Sequence, residues 1–305
     1  MPNLDGHRPP APAADRPSIL DLLRERVLDA ELAAVVWLLL EARVPMLVAG
    51  AAASNGAAAS NGGAASNGAA APEATEAVPA LDRRDVLAAL LDFLPPTARA
   101  IPVDTSGAGL DRLTSTDAAT AWLVGLDLTA APAPGVRVAL RSLSRGAALA
   151  ASVEADSLEA VLARLRAPDL RLSEDELTFL GVVLVLRPVE VPPATGLSGP
   201  RVPTRVVAAH FVRPLARDPA GHVQRLPPAV LATWEPRDDT FEHFAWGVVA
   251  ELAGRAGLRP GDVEPELERR RAYLASLVMA GLRGSDQSRR ALVGYRFADS
   301  RDSGG

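Results

Sequence analysis

Residues 44–50 read VPMLVAG, and residues 51–71 read AAASNGAAASNGGAASNGAAA. The first stretch is a short apolar run closed by Gly50, the pattern of a buried strand in a parallel sheet. In α/β proteins such a strand opens a ligand site when its glycine leads into a glycine-rich loop, a lysine and a Ser or Thr. The loop backbone and the lysine then cradle phosphate. Here alanine runs and three ASNG units stand in that place, and lysine occurs nowhere in the chain. Arginine is forked and planar, a poor geometric substitute for a lysine point charge over the β and γ phosphates. The stretch predicts an α/β frame without its usual phosphate contact.

The flanking sequence alternates helix and strand patterns. Ser18 caps a first helix, with Asp21 as a short acidic partner. Residues 30–42 form an apolar helix before the strand. DVLAALLDFL, residues 85–94, reads as an amphipathic helix stopped by Pro95 and Pro96, its Leu87, Leu90, Leu91 and Leu94 stripe facing the sheet. On that reading Leu91→Ala destabilises severely, whereas Asp127→Ala is nearly neutral. ARAIPVD (98–104) and AWLVGLDL (121–128) read as strands carrying Asp104 and Asp127 at their ends. VRVALRSLSR (136–145) fits strand and helix equally. ALAASVEA (148–155) reads as strand, and Asp156 with Glu159 caps the helix that follows. Ser173 with Glu176 caps another, and GVVLVLRPVEV (181–191) is a central strand. Beyond it, TRVVAAHFVRPLAR and HVQRL flank a DPAG turn, Asp239 caps a helix from Thr240 to about Gly254, and a last helix covers residues 263–281.

Composition narrows the function classes. The chain has 305 residues, 48% of them apolar but only 4% aromatic, so its core is aliphatic. Net charge is -5, with no basic run, which argues against nucleic-acid binding. There is no cysteine, so disulfides, thiolate metal sites and cysteine nucleophiles are excluded. The four histidines lack the short spacing of a zinc site, and no G-x-S-x-G frames a serine. No apolar stretch reads as a secretory signal or a spanning helix, so a cytoplasmic location without direct membrane insertion is expected.

Several segments together resemble the motor domain of type II/IV secretion and pilus-assembly ATPases, a RecA-like P-loop NTPase. ERVLDAELAAVVWLLLEARVPMLVAG is similar to the helices and strand that lead into that family's phosphate loop, and DVLAALLDFLPP to the helix after its lysine. GVRVALRSLSRG with ALAASVEADSLEAVLARL resembles its arginine-bearing helix and histidine box. RVVAAHF and LATWEPRDDTFEHF resemble its C-terminal hairpin region. The likeness runs over residues 20–282. It implies a three-layer α/β fold, mainly parallel, with an antiparallel hairpin and C-terminal helices. Composition and patterning divide the chain into a Pro/Ala-rich disordered arm at 1–17, a core at 18–192 with a low-complexity insertion at 51–80, a C-terminal hairpin and helices at 193–282, and a tail at 283–305.

The resemblance also names the site. Gly50 ends the phosphate-loop strand, and Arg83 falls at or near the lysine. Asp85 lies where a hydroxyl would hold magnesium. Asp127 stands near the acidic strand-end position, as a metal ligand or water-orienting group, and Asp104 is what remains of an acidic box. Glu154 replaces the histidine of the histidine box, and Arg141 and Arg145 are candidates to clamp phosphate. With these degenerate positions, no cofactor is expected. The expectation is a secretion-ATPase-like protein that has lost efficient hydrolysis and serves as a structural or regulatory subunit. Its partners would be secretion or pilus platform proteins or an intact ATPase homologue, and a homo-oligomer is allowed. The alternatives are an active motor using ATP and Mg, and a stand-alone protein-binding module. For the latter, residues 241–246 and Trp234 offer an aromatic partner surface.

Overall fold

The computed structural model describes residues 16–51, 81–104, 106, 108–110, 120–191, 203–217 and 220–302, with side chains through residue 296 except that of residue 217. The readings of residues 1–15 as an arm and of 52–80 as an insertion lie outside the described residues.

The expected strand at VPMLVAG is β1, Met46–Gly50, buried at every position. It lies at the centre of an eight-stranded sheet with β2 (Arg99–Pro102), β3 (Ala121–Asp127), β4 (Ala148–Glu154), β5 (Val182–Pro188), β6 (Thr204–Phe211), β9 (Ala229–Glu235) and β10 (Thr240–His243). The order across the sheet is β10-β9-β6-β5-β1-β4-β3-β2. The strands from β5 to β2 pair in parallel. On the other side β6, β9 and β10 pair antiparallel and form a wing. β7 (Ala216–Arg217) and β8 (Val223–Gln224) make a separate two-residue ladder, all that forms of the expected HVQRL hairpin.

The two-residue period of a strand sorts side chains to opposite faces. Met46 and Val48 enter one apolar core, Leu47 and Ala49 the other. The first core takes in α1 (Ile19–Arg24), α2 (Ala30–Glu41), α3 (Arg83–Leu90), α7 (Val249–Ala256), α8 (Pro260–Met279) and α9 (Ser285–Asp302). The second takes in α4 (Ala133–Ser142), α5 (Leu158–Arg166) and α6 (Glu174–Leu177). The protein is therefore a three-layer α/β fold with a mostly parallel sheet and C-terminal helices. None of the helices among the described residues is long and apolar enough to cross a membrane.

Capping boxes occur where Ser18–Asp21 and Ser173–Glu176 predict them. Elsewhere tertiary context changes the local reading. The ambiguous segment is helix α4, because Val136, Ala139 and Leu140 share a buried face. Ser157, not Asp156, caps α5, accepting from the Ala160 N–H at 3.2 Å. α3 ends at Leu90 and tightens into a 3₁₀ turn, Leu91–Phe93. This rotates the apolar stripe: Val86, Ala89, Leu90 and Phe93 are sealed, while Leu91 and Leu94 are only half-buried. Residues 285–302 form a helix where the sequence reads as a tail, with Ser285, Ser288 and Leu292 buried against the body.

The largest departure is at Asp239, expected to cap a helix. It sits in the turn between β9 and β10 at φ +50°, a conformation aspartate tolerates better than most side chains. Its carboxylate is claimed elsewhere. Arg205 grips it with Nε to Oδ1 at 2.8 Å and Nη2 to Oδ2 at 2.9 Å, and the Trp234 indole donates at 2.9 Å. Both charged side chains are fully buried. Thr240–His243 can then continue as strand.

Candidate functional site

The carboxyl ends of β1, β3 and β4 meet at one edge of the sheet. Gly50 pairs with Glu154, and Asp127 with Ser152. The chain leaving β1 reaches α3 in one helical layer, whereas the chain leaving its neighbour β4 enters α5 in the other. Adjacent strands whose connections diverge to opposite faces leave a crevice between them, the place where open α/β sheets bind ligands.

Gly50 is small for a packing reason. A Cβ there would lie 3.3 Å from the Leu186 Cβ and 3.5 Å from the Arg83 Cβ. The first turn of α3 therefore rests on the end of β1 and brings two consecutive arginines over the crevice. Asp82 caps that turn through the Arg84 and Asp85 N–H groups. Arg83 is buried; its Nη1 donates to the Ala51 carbonyl at 2.8 Å and its Nη2 to Asp127 Oδ2 at 3.0 Å. Arg84, half-exposed, donates to the same oxygen through Nε at 3.0 Å and Nη2 at 2.8 Å. Asp127 Oδ1 accepts from the Thr129 and Ala130 N–H groups at 2.9 and 3.1 Å.

Asp127 is thus saturated. Burial pushes its pKa up, but the hydrogen bond from Arg84, the Ala130 and Thr129 N–H groups and the Arg83 charge outweigh burial and hold it below the ordinary carboxylate value. A carboxylate so held is ionised, weakly basic and short of free lone pairs. It is a poor general base, and a metal ion would have to displace an arginine from it. Among the described residues, no group of three or more His, Asp or Glu side chains is arranged to hold a metal ion. Spare capacity lies instead with donors. Arg83 Nε and Ser152 Oγ are buried without a hydrogen-bond partner.

The other expected site residues are distributed less simply. Glu154 ends β4 beside Gly50, exposed, its N–H donating to Thr129 Oγ1 at 2.8 Å. Asp104 closes a local turn after β2, accepting from the Ser106 N–H, the Ser106 hydroxyl and the Ala108 N–H at 2.8, 2.6 and 3.0 Å. Arg141 is not at the crevice. It lies in the last turn of α4, which runs back toward the amino ends of the strands, and pairs with Glu176 of α6 at 3.4 Å. Arg145 is exposed in the 3₁₀ turn that follows. The segment is the helix that the phosphate-clamp reading needs, but it sets both arginines at its carboxyl end, away from the strand ends where Gly50, Asp127 and Glu154 meet.

Sequence reasoning missed Arg84 and Ser152. Adjacent arginines opening a helix after a strand-end glycine are a readable signal for the first. Ser152 looks like any small residue in a buried strand. No family model matches the chain, and no curated protein is similar to it.

Proposed function

We propose that this chain is a subunit built on the frame of a secretion or pilus motor domain, RecA-like in plan, that does not hydrolyse nucleotide and acts through its contacts with other proteins. The observation that carries this reading is the saturation of Asp127 by Arg83 and Arg84. By the resemblance, Arg83 stands near the phosphate-binding lysine and Asp127 near the acidic, magnesium-ordering position. Here the two side chains neutralise one another. Phosphoryl transfer depends on placed positive charge and a bound metal ion, so this pairing consumes both requirements. The juxtaposition of Gly50, Asp127 and Glu154 at one crevice is consistent with the frame, since those positions must converge in any motor of that plan.

Calorimetric titration with a non-hydrolysable ATP analogue and Mg²⁺ tests the reading. Binding no tighter than about 1 mM is expected. Micromolar binding that disappears in Arg84→Ala, with phosphate release from ATP, would establish an active motor instead.

A further inference from the structure

Between β10 and α7 the chain makes a short 3₁₀ turn, residues 245–248, and projects Trp246 into solvent at 77% exposure. Phe244 and Val230 beside it are also exposed. The other tryptophans contrast with it. Trp37 and Trp122 are fully buried, and Trp234 spends its indole N–H on Asp239. A lone exposed apolar residue is ordinary, but an aromatic ridge flanked by cavities is the anatomy of a binding hot spot.

Two cavities of about 440 Å³ each share Trp246 as a wall. The first is mainly apolar, lined by Ala229, Val230, Phe244 and Val248, with Arg213 and Thr233 at its margin. The second has an apolar floor of Val35, Leu252, Val263 and Leu267, and a rim that carries three carboxylates, Glu31, Glu264 and Glu268. Against them stand Arg271 and His243. Arg271 is already shared by Glu268 at 2.8 Å and Glu31 at 3.6 Å, and His243 by Asp29 at 2.8 Å. Glu264, exposed, makes no ion pair among the described residues. The rim therefore favours a cation, and Trp246 supplies an aromatic face beside it. β10 is the outermost strand of the wing, and among the described residues no strand pairs with its outer edge. Such an edge offers main-chain hydrogen bonds to an extended peptide.

We propose that the Trp246 ridge is the docking site for an extended segment of a partner protein, with an apolar side chain in the first cavity and an Arg or Lys in the second. The site is remote from the Arg83–Asp127 crevice, so it stands whether or not nucleotide binds.

The full chain is titrated with a short acetylated peptide alternating leucine and arginine, and with its leucine–glutamate counterpart. Acrylamide quenching of tryptophan emission gives the readout, because Trp246 is the exposed indole. The arginine peptide is expected to protect the emission and the glutamate peptide to leave it unchanged. Trp246→Ala, followed by anisotropy of a labelled peptide, should lower affinity at least about tenfold. Glu264→Lys, at an exposed position the fold does not need, should lower it about threefold or more and flatten its salt dependence. Equal binding of both peptides, or unchanged affinity in Trp246→Ala, overturns the proposal. A dimer by light scattering that Trp246→Ala dissolves also overturns it, in favour of a second copy of this chain. Binding to phosphatidylglycerol vesicles that depends on Trp246 overturns it in favour of a lipid surface.

Discussion

Two buried arginine–aspartate centres sit on the same sheet and solve different problems. In the wing, Arg205 and Asp239 meet in a bidentate grip, fully enclosed. The arginine's remaining donor serves the Glu25 and Thr204 carbonyls at 3.0 Å, and Trp234 supports the aspartate. Apart from the outlying Arg26 at 3.6 Å, the charges balance. At the crevice, two arginines converge on a single oxygen of Asp127, one of them half-exposed, and Arg83 Nε is left without a partner. The first arrangement has the completeness of a structural staple. The second has two guanidinium groups on one carboxylate and leaves donors unused at the ends of strands. Burial alone does not separate the two; hydrogen-bond completeness does.

The sharpest way to break the comparison is to remove each aspartate. Asp239→Ala leaves a fully buried guanidinium unpaired and should cost about 3–5 kcal/mol in urea melts. Asp127→Ala should cost less, about 1–3 kcal/mol, because Arg84 can turn to water and Arg83 keeps the Ala51 carbonyl. Equal losses would mean that the crevice is as structural as the staple. This revises the near-neutral effect expected from sequence, which took an acidic group held at a strand end to cost stability and could not see its arginine partners. Leu91→Ala, expected from sequence to be severe, should likewise fall below the loss in Leu90→Ala, the sealed position.

Acid unfolding sharpens the same contrast. Burial raises the pKa of Asp127 and of Asp239, but their hydrogen bonds and arginines outweigh it, and both end lowered. Each contributes stability that is present above the unfolded value, about 3.9, and is lost as pH falls through the folded value. Asp92 runs the other way. Desolvation raises its pKa despite Ser285 and Arg289, so its contribution is present below the unfolded value and is lost as pH rises through the folded one. Asp127→Asn should therefore flatten the acid limb of stability against pH, and Asp92→Asn should steepen it.

Smaller effects are expected on the rim of the wing. His243 is partly desolvated, but its bond to Asp29 and the charges of Asp29 and Glu31 raise its pKa. Stability from this contact is present below about 6.5 and is lost as pH rises through the folded value, and His243→Gln should remove that slope, worth at most about 1 kcal/mol. Trp246→Ala should change stability by no more than about 0.5 kcal/mol, as an exposed residue with a binding role would.

Much of the fold was legible because β1, β4 and β5 are continuous apolar runs and because capping boxes are local chemistry. Gly50, Arg83, Asp127 and Glu154 were grouped by the resemblance, and they meet here because strand ends in a parallel sheet converge and the first turn of α3 rests on the end of β1. What escaped depended on distant partners. Asp239 reads as a cap until Arg205, 34 residues earlier, takes its carboxylate. Arg141 reads as a phosphate clamp on its helix until Glu176, 35 residues later, pairs with it at 3.4 Å. Arg84 gained its role from Asp127, 43 residues away, which no periodicity reports.

Asp92 has a consequence for the timing of folding. Its carboxylate accepts from the Ile19 N–H at 3.3 Å in α1, and from the Ser285 hydroxyl at 2.7 Å and Arg289 Nε at 2.9 Å in α9. The earliest and latest helices described are thus tied through one side chain, and 193 residues separate Asp92 from Ser285. At ribosomal speeds of about 5–20 residues per second, that carboxylate waits roughly 10–40 s for its last donors. During that interval α1 and the Leu91–Phe93 turn lack their closing contact. The nascent chain carries an uncovered apolar seam until α9 has been made.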